Sequence, residues 1–333
     1  DTHKYIYIFI CFLVYFPSFF LYKFGLNLTD MFFCVNNEFS NLNSVVLGIG
    51  SDFGGVPEIK DVYDPHSREN VIQGTFPNES EVVQELNQFN LILKKYGIKT
   101  YRPKNIRGLN QVFTRDIGFV IDDFFFISNV INERKKEFSA IEYILSSYNS
   151  EKIISLESDV NIEGGDVIIS GDKIFIGFSD DDDFKKYKVA RTNINGVNFL
   201  DNFFLKKKII PIQLNKSDFS IKDNCLHLDC CFQPLGLGHV VVCYDAFKNK
   251  NDISMIQSIF NENIIEISGE EMQNLNSNFF SISNEIVVSD YRFERLNQIL
   301  IQKGYRLEKI NYEKIAKMGG LLRCSTLPLN REL

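Results

Sequence analysis

Beyond residue 40 the apolar positions alternate between short β-branched or aromatic runs and longer stretches with helical spacing. The run VVLGIG at 45–50 predicts a strand. From Asn78 to Tyr96, Val82, Leu86, Phe89 and Leu93 recur every three or four residues, which gathers them on one face of a helix. Asn78 and Glu81 have the spacing of a capping box, and Gly97 stands where a glycine would end the helix. IKTYRP reads as the strand that follows. The same order returns four more times. GFVIDDFFFISN precedes a helix at about 136–147 and then KIISLE; VIISGDKIFIGF precedes one near 198–205 and then KIIPIQL. HLDCCFQPL and VVVCY lead to a helix near 252–260 and IIEI, and FFSISNEIVVS leads to one from Asp290 to Lys303, then YRLEKI. Five α/β units of about 50–70 residues must each bury a face against their neighbours. A closed ring and an open α/β sheet with one crossover per strand pair both satisfy that pattern.

Composition narrows the class. The chain has 333 residues, 44% hydrophobic and 24% charged, enough for a sizeable core. A net charge of −7, with basic residues only in short runs, speaks against a nucleic-acid partner. Lys206, Lys207 and Lys208 read as a solvated helix end, and the acidic run Asp180 to Asp183 as a solvated loop lacking the spaced ligands of a calcium site. Seven cysteines match neither a zinc pattern nor a disulfide framework, so reduced thiols in a cytoplasmic setting are expected. From Tyr5 to Tyr22 the sequence is almost wholly apolar, near the minimum length of a membrane span. Position 1 is Asp, the first Met is Met31, and no small-residue cleavage site follows. Residues 1–30 are therefore expected to be a leader outside the fold, with a membrane anchor or signal as the alternative, and residues 31–333 a single domain.

Four segments set reactive or ion-pairing side chains beside tight-turn residues at the ends of apolar runs: Phe113-Thr114-Arg115-Asp116, Glu163-Gly164-Gly165-Asp166, His227-Leu228-Asp229, and Gly319-Gly320 followed by Arg323-Cys324-Ser325-Thr326. Each has an ordinary reading when taken alone. A single cysteine is usually a small core residue, Arg-Asp a surface pair, Glu-Gly-Gly-Asp a turn and a histidine a structural hydrogen-bonding group. His239, in GLGHVVV, reads as a surface turn residue.

Together, and in this order, the segments resemble those of the pentein superfamily of guanidino-modifying enzymes: arginine deiminases, dimethylarginine dimethylaminohydrolases and amidinotransferases. Ala190-Arg191-Thr192-Asn193 resembles the arginine-bearing segment that follows EGGD in the first two. The resemblance covers residues 40–333 and implies a fivefold pseudo-symmetric α/β propeller around a central site. It further implies Cys324 as nucleophile, His227 as acid and base, and Glu163 as the group that orients His227. Asp116 and Asp229 would grip the guanidinium, Glu163 would contact it too, and Asp166 would also bind the substrate. Arg191 would meet a substrate carboxylate, and Arg323 would either do the same or be structural. A planar cation with paired N–H donors suits carboxylates, and a thiolate is the fitting nucleophile for its carbon. Neither metal nor organic cofactor is implied. The expected partner is a small guanidino compound, with no nucleic acid, with no membrane unless residues 1–30 are native, and with homo-oligomerisation left open. Hydrolysis of arginine or a methylated arginine to citrulline is the leading expectation. Amidino transfer to an amine is the alternative, and a non-catalytic binding protein of the same fold is a third.

Overall fold

Each of the five predicted units folds into a three-stranded sheet in which the middle strand runs antiparallel to the first and parallel to the last. The computed structural model describes residues 32–332. The apolar leader expected at residues 1–30 lies outside them. Along the chain the sheets comprise β3 (Gly118–Ile121), β4 (Phe124–Ile127) and β5 (Ile153–Ser155); β6 (Val167–Ser170), β7 (Lys173–Phe178) and β8 (Lys208–Gln213); β9 (Phe232–Pro234), β10 (Val240–Val242) and β11 (Ile264–Glu266); and β12 (Phe280–Ser281), β13 (Ile286–Asp290) and β14 (Arg306–Ile310). The remaining sheet joins β1 (Leu42–Leu47) and β2 (Lys99–Tyr101) to β15 (Thr326–Arg331), a strand from the far end of the sequence. That pairing closes the ring and decides between the two architectures left open by periodicity: the fold is the fivefold α/β propeller.

A parallel partner requires a crossover, and each middle strand is followed by one. Helices Glu79–Lys95, Ile194–Phe203, Lys250–Phe260 and Glu294–Gln302 serve four units; the β4–β5 connection is instead a 3₁₀ segment, Asn132–Ala140, and a single turn, Glu142–Leu145. The first helix starts as its sequence dictates. Glu81 N–H donates to Asn78 Oδ1 at 3.1 Å, Asn78 N–H donates to Glu81 Oε2 at 3.0 Å, and Val82, Leu86, Phe89 and Leu93 are fully buried. It gives way at Gly97, whose φ of +71° only glycine adopts without strain. Where a helix is expected at 136–147, the chain forms the end of the 3₁₀ segment Asn132–Ala140 and the short α-turn Glu142–Leu145; Arg134 and Glu137 of the 3₁₀ segment are turned inward to an ion pair rather than outward to water. The acidic run is no loop: Asp180 caps the helix Asp181–Lys186, accepting from Asp183 N–H at 2.9 Å, and both aspartates pair with Lys248. Helix Pro65–Ile72, capped by Asp64, was not read from the sequence.

Short segments lead into the first strand of every unit, and they meet around the axis of the ring. Arg115 N–H donates to the Cys324 carbonyl at 3.0 Å, and Gly164 lies so close to the Arg115 carbonyl that a Cβ would approach it to 2.2 Å. Asp166 accepts from Leu228 N–H at 2.9 Å, the Asp229 carbonyl accepts from Ser277 Oγ at 3.0 Å, and Asn278 Oδ1 accepts from Cys324 N–H at 3.2 Å. These contacts form a closed circuit that passes once through each unit. Among the described residues, no helix is long and apolar enough to cross a membrane.

Candidate active site

Four of the lead-in segments carry the motifs singled out in the sequence, so the fold brings together motif side chains as far as 211 positions apart, as the Arg115–Thr326 contact records. The cavity they face has a volume of about 420 Å³. Asp116, Arg134, Arg191, His227 and Cys324 line it; Glu163 stands directly behind His227.

His227 is held in one orientation. Its Nε2 lies 2.9 Å from Glu163 Oε2, and its ring packs against Gly165, where a Cβ would come within 2.7 Å of Cγ and Nδ1. The EGGD motif thus supplies both a hydrogen-bond partner and the clearance that only glycine allows. Burial disfavours the charged imidazole, but the carboxylates of Asp116, Asp166 and Glu163 outweigh it and raise the His227 pKa to about 9. Glu163 moves the opposite way. Burial would raise it, yet Arg191, the His227 hydrogen bond and Arg134 bring it down to about 2. At neutral pH the pair is therefore imidazolium and carboxylate.

Asp116 is aimed by Arg134, whose Nη1 donates to its Oδ2 at 2.7 Å while Glu137 takes Nε and Nη2 at 2.8 Å each. Its other oxygen, Oδ1, is buried without a hydrogen-bond partner, and so is His227 Nδ1, 3.6 Å away. Two buried polar atoms left open toward a cavity mark where a ligand's polar groups would go. The sulfur of Cys324 is buried, and burial, followed by the charges of Asp229 and Asp116, raises its pKa well above the ordinary thiol range.

The other expected site residues sit differently. Asp229 does not line the cavity: its Oδ2 accepts from Arg323 Nη1 at 2.8 Å and lies 3.7 Å from Cys324 Sγ, so it faces the sulfur. Asp166 anchors Leu228 in the His227 segment. Arg323, which the sequence leaves between two roles, is fully buried and bonded to Glu38, Asp229 and the Val167 carbonyl. Arg191 lines the cavity with Nε bound to the Lys188 carbonyl and Nη1 to Glu163, which leaves Nη2 for a ligand. Arg134, Glu38 and Asn278 were not singled out from sequence. Asn278 had one detectable signal: it stands two positions before β12, just as Asp116 and Cys324 stand two positions before β3 and β15. Asp116, Glu163 and His227 also place one ligand atom each within 4.8 Å of the others, a set able to hold a metal ion. A metal there would have to displace a proton from an imidazole whose pKa is raised, which opposes binding.

A family model described as N,N dimethylarginine dimethylhydrolase, eukaryotic, matches residues 65–331. The chain belongs to that family. The dimethylarginine dimethylhydrolases are penteins, and the five-unit ring and the four motifs place the chain in that superfamily of guanidino-modifying enzymes. An uncharacterized protein of Bacillus subtilis (strain 168), YkgA, is 29% identical over 253 residues, 76% of this chain and 79% of its own. The arginine deiminase of Streptococcus agalactiae serotype Ia is 25% identical over 260 residues; the match spans 67% of this chain and 61% of the deiminase. Among solved structures, SxtG, an amidinotransferase from Microseira wollei, superposes with a TM-score of 0.71 at 18% identity, covering 90% of this family member and 98% of the transferase. That likeness is one of fold.

Proposed function

We propose that the chain hydrolyses a guanidino compound, arginine or an N-methylated arginine, to citrulline and ammonia or an amine, through a covalent adduct on Cys324. The observation that carries this reading is the placement, in one cavity with the Cys324 sulfur, of a buried carboxylate oxygen and a buried imidazole nitrogen, 3.6 Å apart and neither of them hydrogen-bonded. Asp116 Oδ1 suits a guanidinium N–H, and His227 Nδ1–H suits a departing amine. Binding of the cation beside Asp116 offsets the negative charge that keeps Cys324 protonated, and the thiol proton leaves to solvent. The thiolate then adds to the guanidinium carbon, His227 Nδ1 protonates the leaving nitrogen, and the C–N bond breaks to leave an amidino group on sulfur. His227, now neutral, takes a proton from water as the water oxygen attacks that carbon. The C–S bond breaks, the hydroxyl proton of the adduct leaves to solvent, and the thiolate and a neutral ureido product are returned. Arg191 Nη2 is the donor available to a substrate carboxylate. Unpaired thiols at all six cysteines among the described residues fit a reducing, cytoplasmic setting.

Amidino transfer shares these steps up to the adduct and differs in the acceptor, and the fold likeness to an amidinotransferase keeps it as the second reading. The Glu163–Asp166 motif favours the hydrolase, since it resembles the deiminases and dimethylarginine hydrolases more than the transferases. Incubating the purified protein with arginine, N-methylated arginines and agmatine, with colorimetric detection of ureido products, is expected to give product from the first two and none with Cys324→Ser. Absence of ureido product from all of them, with amidino transfer to added glycine, would replace this reading by the second.

A further inference from the structure

Four of the five lead-in segments have a role in the reading above; the fifth, before β12, carries no ionisable group at Ser277 or Asn278. Asn278 is nonetheless fully buried and bonded to the nucleophile at two points. Its Oδ1 accepts from the backbone N–H of Cys324 at 3.2 Å, and its Nδ2 lies 3.2 Å from Cys324 Sγ. The first contact settles the second. A backbone N–H can only donate, so the atom facing it is the amide oxygen, and the group facing sulfur is the NH₂. The two hydrogens of that NH₂ have two acceptors, Sγ and the Asp229 carbonyl at 3.5 Å. All the polar capacity of the side chain is spent on Cys324 and on the segment that bears Asp229.

We infer that Asn278 is a further catalytic residue, whose amide N–H stabilises the Cys324 thiolate while its carbonyl fixes the backbone from which the sulfur projects. The inference rests on the nucleophilic role proposed for Cys324. Other groups around the sulfur make such a donor necessary. Asp229 at 3.7 Å accepts from the thiol but opposes its ionisation, and Asp116 opposes it too; Cys230 and Tyr312, which also feel the charge of Cys324, are neutral. His227 lines the same cavity, and Arg323 is spent on Glu38 and Asp229. Among the described residues, Asn278 is the one side chain that donates a hydrogen bond to the sulfur. When the thiol ionises, the Asp229 contact turns from hydrogen bond to repulsion, while the Asn278 contact strengthens because its acceptor has become charged.

The test measures the sulfur directly. The rate of Cys324 alkylation by iodoacetamide is followed against pH in the full chain, with Cys324→Ser supplying the background from other thiols. Asn278→Asp keeps an oxygen for the Cys324 N–H and removes the donor to sulfur; Asn278→Ala removes both. Both variants are expected to move the inflection upward by about one to two pH units, the size of a lost hydrogen bond to a charged group, with Asn278→Asp moving it further. At pH 7.5 (about the ordinary working range of the acid–base pair) kcat falls about 10- to 100-fold on the same scale, with KM little changed. A wild-type inflection in either folded variant overturns the inference. The alkylation measurement needs no substrate, so it stands or falls separately from the identity of the reaction.

Discussion

At the scale of single residues, the site is a set of opposed charges whose ionisation states are fixed by their neighbours. His227 holds its proton to about pH 9 because carboxylates surround it, against the pull of burial. Replacing Glu163 by Gln removes one of those charges and keeps the shape of the side chain. The alkaline limb of kcat/KM, which reports loss of the imidazolium proton, is expected to move down from near 9 toward the ordinary histidine range, and a pH–rate profile checks it. A limb that stays in place would show that another group governs it. Residues of this kind were legible in the sequence because charge and a reactive sulfur are conspicuous there. Asn278 and Arg134 were not. A neutral amide between Ser277 and Phe279 has no chemical signature until the fold sets it against a sulfur, and Arg134 lies in a run of charges, ERKKE, that reads as a solvated face.

At the scale of elements, the same lead-in turn is used five times with different side chains. Glycine is required in the turn before β6 not for its dihedral freedom but for clearance, since a methyl on Gly165 would meet the His227 ring at 2.7 Å and Asp116 Oδ1 at 2.9 Å. Gly165→Ala is expected to displace the imidazole and lower kcat by about 10²-fold, the cost of misplacing a catalytic group by about 1 Å. Far-UV circular dichroism should stay that of the parent, and wild-type kcat in the variant would show that the ring does not need that seat. Periodicity revealed the repeated strand, helix and strand because each crossover helix has one apolar face and each strand a short apolar run. It misjudged the elements where tertiary contacts take over. The 3₁₀ segment Asn132–Ala140 contains the inward-turned Arg134 and Glu137, and the strand β15 is hard to read because TLPLNR carries Pro328 in its middle, which argues against a strand.

At the scale of the whole molecule, one buried cation ties the ring together across its axis. Arg323, next to Cys324, bonds Glu38 ahead of β1, Asp229 ahead of β9 and the carbonyl of Val167 in β6. Burial would raise the Glu38 carboxyl, but Arg323 and Arg115 bring it down to about 2. A carboxyl depressed on folding contributes stability that is complete above its unfolded value, roughly pH 4.3, and is lost as pH falls through the folded value. Glu38→Gln leaves Arg323 short of one counter-charge and is expected to cost about 3 kcal/mol at pH 7. Urea unfolding at pH 7 and pH 3 (about the midpoint between the two carboxyl values) should show the difference from wild type shrinking at the lower pH. A difference independent of pH would refute the charge argument.

Because β15 pairs with β1, the sheet begun earliest along the described chain is finished last, and the nucleophile lies two residues ahead of the strand that finishes it. With only the other four sheets formed, Asp116, Glu163 and His227 would have no Cys324 sulfur in reach of them. The sulfur and the groups proposed to act with it therefore meet only where the ring is closed by the β1–β15 pairing.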